Sequence, residues 1–204
     1  YAQLLVPLMC AWMVVSEAPP AGWLSASAVL FLLAGAPLLE LRRSPRFARR
    51  ALLVYVTGAL LALALGLFHA TPLVAGLTFA PLTLLCVTLA FVLWGAARSL
   101  AGEVSVALAL SSWALPVAAC SSLSFIECCW IWLPFASYFT ASTVAVRHLM
   151  PGARRRDGLS RARVLGLCTV VLVASLGGTS LGLLPLGCAL ALIPAGVVPA
   201  LLVW

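Results

Sequence analysis

Long apolar runs separated by short polar breaks dominate this chain. The runs cover residues 1–15, 23–39, 51–68, 73–97, 104–119, 125–146, 164–176 and 181–204. A helix needs about 20 apolar residues to cross a bilayer. Runs of this length, without strand-like alternation, predict an all-α, polytopic transmembrane helix bundle of about eight spans. The breaks carry turn and helix-stop residues. Paired Pro19 and Pro20 remove backbone donors and clash with a continuing helix, so with Glu17 and Gly22 they are expected to end the first run. His69, Thr71 and Pro72 close the third, Ser121, Ser122 and Ser124 mark a turn after the fifth, and 177–180 (Gly-Gly-Thr-Ser) turns the chain after the seventh. Pro81, Pro116, Pro134 and Pro194 fall inside runs and are candidate helix breaks.

Charge sharpens this picture. All twelve Lys+Arg residues are arginine. Arg42, Arg43, Arg46, Arg49 and Arg50 lie in one break, Arg98 in another, and Arg147, Arg154, Arg155, Arg156, Arg161 and Arg163 in a third. With eight spans, these three breaks fall on one side of the bilayer, while Glu17, His69, 121–124 and 177–180 fall on the other. The positive-inside bias makes the arginine side cytoplasmic, and arginine without lysine, with much alanine, leucine and glycine, resembles GC-rich bacterial coding, so the expected setting is a bacterial inner membrane. The net charge of +7 is therefore a matter of topology and carries no expectation of nucleic-acid binding.

Composition agrees. The chain is 64% hydrophobic and 8% charged, with a mean hydropathy of +1.18. An ordinary soluble domain is about 45–50% apolar and about 25% charged. The excess apolar surface must face lipid, and 204 residues leave no room for a separate soluble domain. The expectation is one integral membrane domain over 1–204. Both ends fall inside or beside apolar runs, which reads as a fragment cut at each end.

Candidate chemistry is sparse. The seven cysteines all lie in apolar runs without C-x-x-C spacing, so they read as small packing residues. No metal site and no cofactor is expected. Acids are few: Glu17, Glu40, Glu103, Glu127 and Asp157. Magnesium-diphosphate chemistry needs clustered carboxylates, and no D-x-x-x-D or N-D-x-x-D is present. There is no P-loop, no H-E-x-x-H, no G-x-S-x-G and no lysine for a Schiff base. No catalytic residue is assigned.

What remains is an acid and a set of arginines. Glu127 lies within an apolar run, on one helical face with Ser124 and Trp130. It either faces the bundle interior or reaches water at the outer interface. Arg42, Arg43, Arg46, Arg98, Arg147 and Arg154–Arg156, with Glu40 and Glu103, can converge on one cytoplasmic rim, with His148 on the same basic surface. Guanidinium forks suit phosphate and carboxylate oxygens, so this rim is a candidate anion-binding mouth. The partners it implies are anionic lipid head groups or a small anionic ligand.

Several short segments resemble the YwiC-like family of bacterial membrane proteins: the opening Tyr1-Ala2-Gln3-Leu4-Leu5-Val6-Pro7-Leu8, the basic link Arg42 to Arg50, the Arg98…Glu103 junction and the arginine-rich link after Val146-Arg147. The resemblance implies an inner-membrane protein, permease or accessory factor rather than enzyme. The layout is also similar to the nine-helix UbiA-type prenyltransferase bundle. That fold carries aspartate motifs after the second and sixth spans, where this chain has arginines. It would imply a divergent transferase acting on a lipid-soluble substrate. A small organic-anion transporter is the third reading, which broken helices near the midplane would favour.

Overall fold

The computed structural model describes residues 2–15, 18–40, 45–150, 152, 160–180 and 186–203. The chain is all-α: α1 (Ala2–Trp12), α2 (Ala18–Glu40), α3 (Pro45–Phe68), α4 (Pro72–Leu93), α5 (Leu100–Ser112), α6 (Ala114–Ala118), α7 (Phe125–Leu149), α8 (Arg161–Ser180) and α9 (Leu186–Val203). Among the described residues, five segments are long and apolar enough to cross a membrane: Pro19–Leu38, Pro45–Phe68, Pro72–Leu93, Leu100–Ala118 and Phe125–Leu149.

Local chemistry sets the starts. Thr71 Oγ1 accepts the Val74 N–H, Ser99 Oγ that of Gly102, and Ser160 Oγ that of Arg163, so hydroxyls cap α4, α5 and α8. Pro72 occupies the first position of α4, where its missing N–H costs nothing. The expected break between the first and second runs is present, since α1 ends at Trp12 and α2 begins at Ala18. Pro19 and Pro20 lie in the first turn of α2, where backbone donors lack intrahelical partners anyway, so α2 begins ahead of the expected residue 23.

Other boundaries move for related reasons. Arginine is a good helix former, and Arg46, Arg49 and Arg50 form the first turns of α3 instead of a link. α5 starts at Leu100, so Glu103 sits in its first turn, ahead of the expected start. α4 ends at Leu93, where Gly95 adopts φ +71, a left-handed conformation suited to closing a helix. α8 continues through Ser180, across the expected 177–180 turn. The fifth run continues as one span through α5 and α6, with helical backbone at Trp113 between them (φ -62, ψ -19), and Pro116 lacks the N–H that would bond to the Ser112 carbonyl. Pro81 and Pro134 are accommodated inside α4 and α7.

Two compact units emerge: residues 1–80 with 112–128, and residues 81–111 with 129–204. In the first, α2 packs along α3. Ser27 Oγ donates to the Ala59 carbonyl at 2.9 Å, Leu30 meets Gly58, and Leu24 meets Gly66, so the pair is antiparallel. Small residues are buried on both helices, Ala21, Ser27 and Ala28 on α2 and Ala59, Ala62 and Gly66 on α3. Lipid tails are as apolar as leucine, so helices associate by close van der Waals approach, which small residues allow. A Cβ on Gly66 would stand 3.1 Å from Leu24 Cγ. The large side chains point outward: Leu53, Leu61 and Phe68 of α3 are exposed, as a lipid-facing surface requires. Trp12 donates to Ser25 at 2.9 Å, tying α1 to α2, and Phe31 stacks on Trp113 at 6.0 Å.

In the second unit, Val144, Ala145, Val164 and Cys168 form a buried cluster, with Leu100, Leu167 and Ala200 packed against it. This brings together the C-terminal end of α7, the N-terminal ends of α5 and α8, and the C-terminal end of α9. α8 and α9 pack against each other. Among the described cysteines none is bridged. Cys128 and Cys168 are buried small hydrophobes, and the Cys120 thiol donates to the Pro116 carbonyl at 3.3 Å.

Candidate functional site

The most constrained polar arrangement lies at the arginine-bearing end of the second unit. Ser99 caps α5, which places Glu103 one turn into the helix with its carboxylate toward the end of α7. There Arg147, only 3% exposed, brings Nη1 to 2.6 Å from Glu103 Oε1 and donates to the Arg98 carbonyl at 2.9 Å. One guanidinium thus joins α7, the first turn of α5 and the segment linking α4 to α5. The link is tight. A Cβ on Gly102 would fall 2.7 Å from the carbonyl oxygens of both Ala96 and Ala97, so only glycine fits without moving the backbone.

Hydroxyls continue the polar line along α5. Ser105 Oγ donates to the Gly102 carbonyl at 2.8 Å and accepts from Thr88 of α4 at 3.2 Å. Ser111 Oγ donates to the Leu108 carbonyl and accepts from Trp132 Nε1 of α7, each at 3.2 Å. Ser105, Ser111 and Ser112 are all buried. α5 is therefore a buried helix with a charge pair at its start and interhelical hydrogen bonds on two sides.

The described residues of the predicted arginine rim fall in both units. Arg147 is inside the packed end and bonded to Glu103, while Arg98 is exposed. Arg46 is exposed on α3 of the first unit. Arg42, Arg43 and Arg154–Arg156 lie outside the described residues. His148, expected on the basic surface, is buried at 6% exposure, because the last turn of α7 packs its inner face against the neighbouring helix ends. Arg161 and Arg163 are exposed in the first turn of α8.

Glu127 turns out to be a helix cap. Its Oε2 accepts from the Ser124 backbone N–H and from Ser124 Oγ, both at 2.8 Å, and its own N–H reaches Ser124 Oγ at 3.4 Å. This is the reciprocal capping box of a Ser-x-x-Glu sequence at the start of α7. The spacing was visible at 124–127. His69 is exposed at the end of α3 with its ring edge-on to Phe68 at 5.1 Å. Among the described residues, no three His, Cys, Asp or Glu side chains are grouped to hold a metal ion.

Sequence-based reasoning missed the buried serines of α5. The signal lay in 105, 111 and 112, hydroxyls inside a run otherwise apolar enough to span. Comparison with known proteins returns no matching family model, no matching curated protein and no matching solved structure.

Proposed function

We propose that this chain is a polytopic bacterial inner-membrane protein of the YwiC-like type that works as a permease for a small organic anion, its arginine-bearing helix ends on the cytoplasmic side. The observation that carries the reading is α5. Polar side chains buried among membrane-spanning helices are expensive, and they concentrate along substrate and ion pathways. Half-exposed Glu103 and buried Ser105, Ser111 and Ser112 recur along this one helix. Its 13 residues rise about 20 Å at ~1.5 Å each, so this polar line runs well into a hydrocarbon core of about 30 Å. Exposed Arg98, Arg161 and Arg163, at the same end as the Glu103–Arg147 pair, supply a field that concentrates anions there.

The YwiC-like type is supported by the opening 1–8, the 42–50 link and the Arg98…Glu103 junction. Inner-membrane residence is supported by the five apolar helices and the placement of arginine. The test is uptake of radiolabelled mono- and dicarboxylates and sugar phosphates into proteoliposomes holding the full chain. Uptake of one class above protein-free liposomes, reduced by Ser111→Val, is the expected result. No flux of any class, with the protein folded by tryptophan fluorescence, overturns the reading.

A further inference from the structure

α3 is amphipathic along its length in a way its packing on α2 does not use up. Ala48, Ala59, Ala62, Leu63 and Gly66 form its buried stripe. On the opposite face, at successive steps of three and four residues, stand Arg46, Arg50, Leu53, Thr57, Leu61, Ala64 and Phe68, every one exposed. Arg49 flanks this row and is exposed as well. The three guanidiniums therefore sit at the head of the same face that lower down is apolar apart from Thr57. Beside them Phe47 is 77% exposed.

Helix stability does not account for this placement. The N-terminal end of a helix carries partial positive charge, and cations there are unfavourable. Among the described residues none of Arg46, Arg49 and Arg50 makes an ion pair, and α3 contains no acid. An external anion resolves the conflict. It must lie beside an apolar helix face, which an aqueous solute cannot do and a lipid must.

We infer that the outward face of the first turns of α3, formed by Arg46, Arg49, Arg50 and Phe47, binds the phosphodiester head group of an anionic phospholipid whose acyl chains lie along Leu53, Val54 and Leu61. Planar guanidinium groups match phosphate oxygens in paired hydrogen bonds. Their methylene stems cover apolar surface while the charged ends remain at the head-group level, and an exposed aromatic belongs at that same depth. The site stands whether or not the chain is a permease, since it uses no residue of α5.

The experiment is spin-labelled lipid association with the full chain reconstituted in phosphatidylcholine, comparing labelled phosphatidylglycerol with labelled phosphatidylcholine. The unaltered chain should hold phosphatidylglycerol in preference, and rising salt should reduce the preference. Arg46→Gln, Arg49→Gln and Arg50→Gln, made singly so that the remaining arginines preserve threading, should each lower it. The reduction should be on the order of fivefold, the equivalent of about 1 kcal/mol per basic residue at an anionic surface. Arg46→Lys/Arg49→Lys/Arg50→Lys, which keeps the charge, should also lower the preference, because an ammonium cannot make the paired hydrogen bonds of a guanidinium, and an undiminished preference would overturn the site in favour of a diffuse charge belt. Equal association of the two lipids with the unaltered chain overturns the inference, as does a preference untouched by all three Gln variants. Release of labelled phosphatidylglycerol by millimolar inorganic phosphate at constant ionic strength also overturns it, because the ligand would then be a free phosphate and not a lipid.

Discussion

Arg147 Nη1 stands 2.6 Å from Glu103 Oε1, and the two partners differ sharply in burial: the Arg147 side chain is 4% exposed and the Glu103 side chain 39%. The asymmetry decides what each substitution does. A half-exposed carboxylate that loses its partner rehydrates. A buried guanidinium that loses its carboxylate keeps the cost of its desolvation, and breaking fully buried pairs this way costs about 3–5 kcal/mol. With one partner partly in water, Glu103→Ala should cost about 2–3 kcal/mol and Arg147→Met about 1 kcal/mol. The double variant should resemble Arg147→Met alone, as coupled neighbours do. Thermal unfolding of the full chain in detergent, followed by tryptophan fluorescence, reads all three. Equal losses from the two single variants would mean that burial of Arg147 does not govern the pair.

The link between α4 and α5 makes a second prediction. Gly102→Ala pushes a methyl group into the Ala96 and Ala97 carbonyls, and Gly95→Ala forces a side chain into φ +71. Overpacking against backbone costs about 1–3 kcal/mol, and a left-handed non-glycine residue about 1–2 kcal/mol. Gly76, exposed inside α4 with nothing within 4 Å of an added Cβ, is the control. Gly76→Ala should be neutral or stabilising by up to about 1 kcal/mol, since alanine is the better helix former. The same melts rank the three. Gly102→Ala as stable as Gly76→Ala would remove the close approach from the account.

How much of this was readable beforehand depends on how local each cause is. The helix class, the end of α3 at Phe68 and the start of α7 at Phe125 follow from apolar runs ended by Thr71-Pro72 and Ser124. Pro19 and Pro20 marked the break between α1 and α2 but not the start of α2, because the effect of proline depends on whether a donor is needed at that position, and at a helix start it is not. Arg46–Arg50 read as a link because charge was equated with loop, although arginine forms helix well. Burial of Arg147 and His148 was not legible. Arg147 meets the Arg98 carbonyl 49 residues away, and no spacing along the chain announces such a contact.

Ser124 and Glu127 support a third prediction. Because each satisfies the other's backbone N–H, Ser124→Ala removes both a cap and the anchor of the Glu127 side chain. Loss of an N-cap hydroxyl costs about 1 kcal/mol. Glu127→Ala should lower stability in the same direction, and the two effects should not add. Effects that sum in full would show that the residues act separately. Neither substitution should alter lipid association at α3.

The last prediction concerns sidedness, where sequence and packing supply independent arguments. The antiparallel pairing of α2 with α3 puts Glu40 and Pro45 at one end of that pair. In the second unit, the Val144–Val164 cluster and the Arg147–Glu103 pair gather the end of α7 with the starts of α5 and α8. Each unit thus has one arginine-bearing end of its own. Packing alone leaves the sidedness of the two ends open. The distribution of charge predicts one face, because alternate threading of eight spans would put all twelve basic residues at helix ends or links on a single side, and basic residues are retained on the cytoplasmic side. Reporter fusions after Pro45, Gly102 and Ser160 should therefore report cytoplasm, and those after His69, Ser121 and Ser180 the opposite compartment. Two neighbouring fusions on the same side would break the alternation. They would also detach the α3 lipid site from the face that carries Arg98, Arg161 and Arg163.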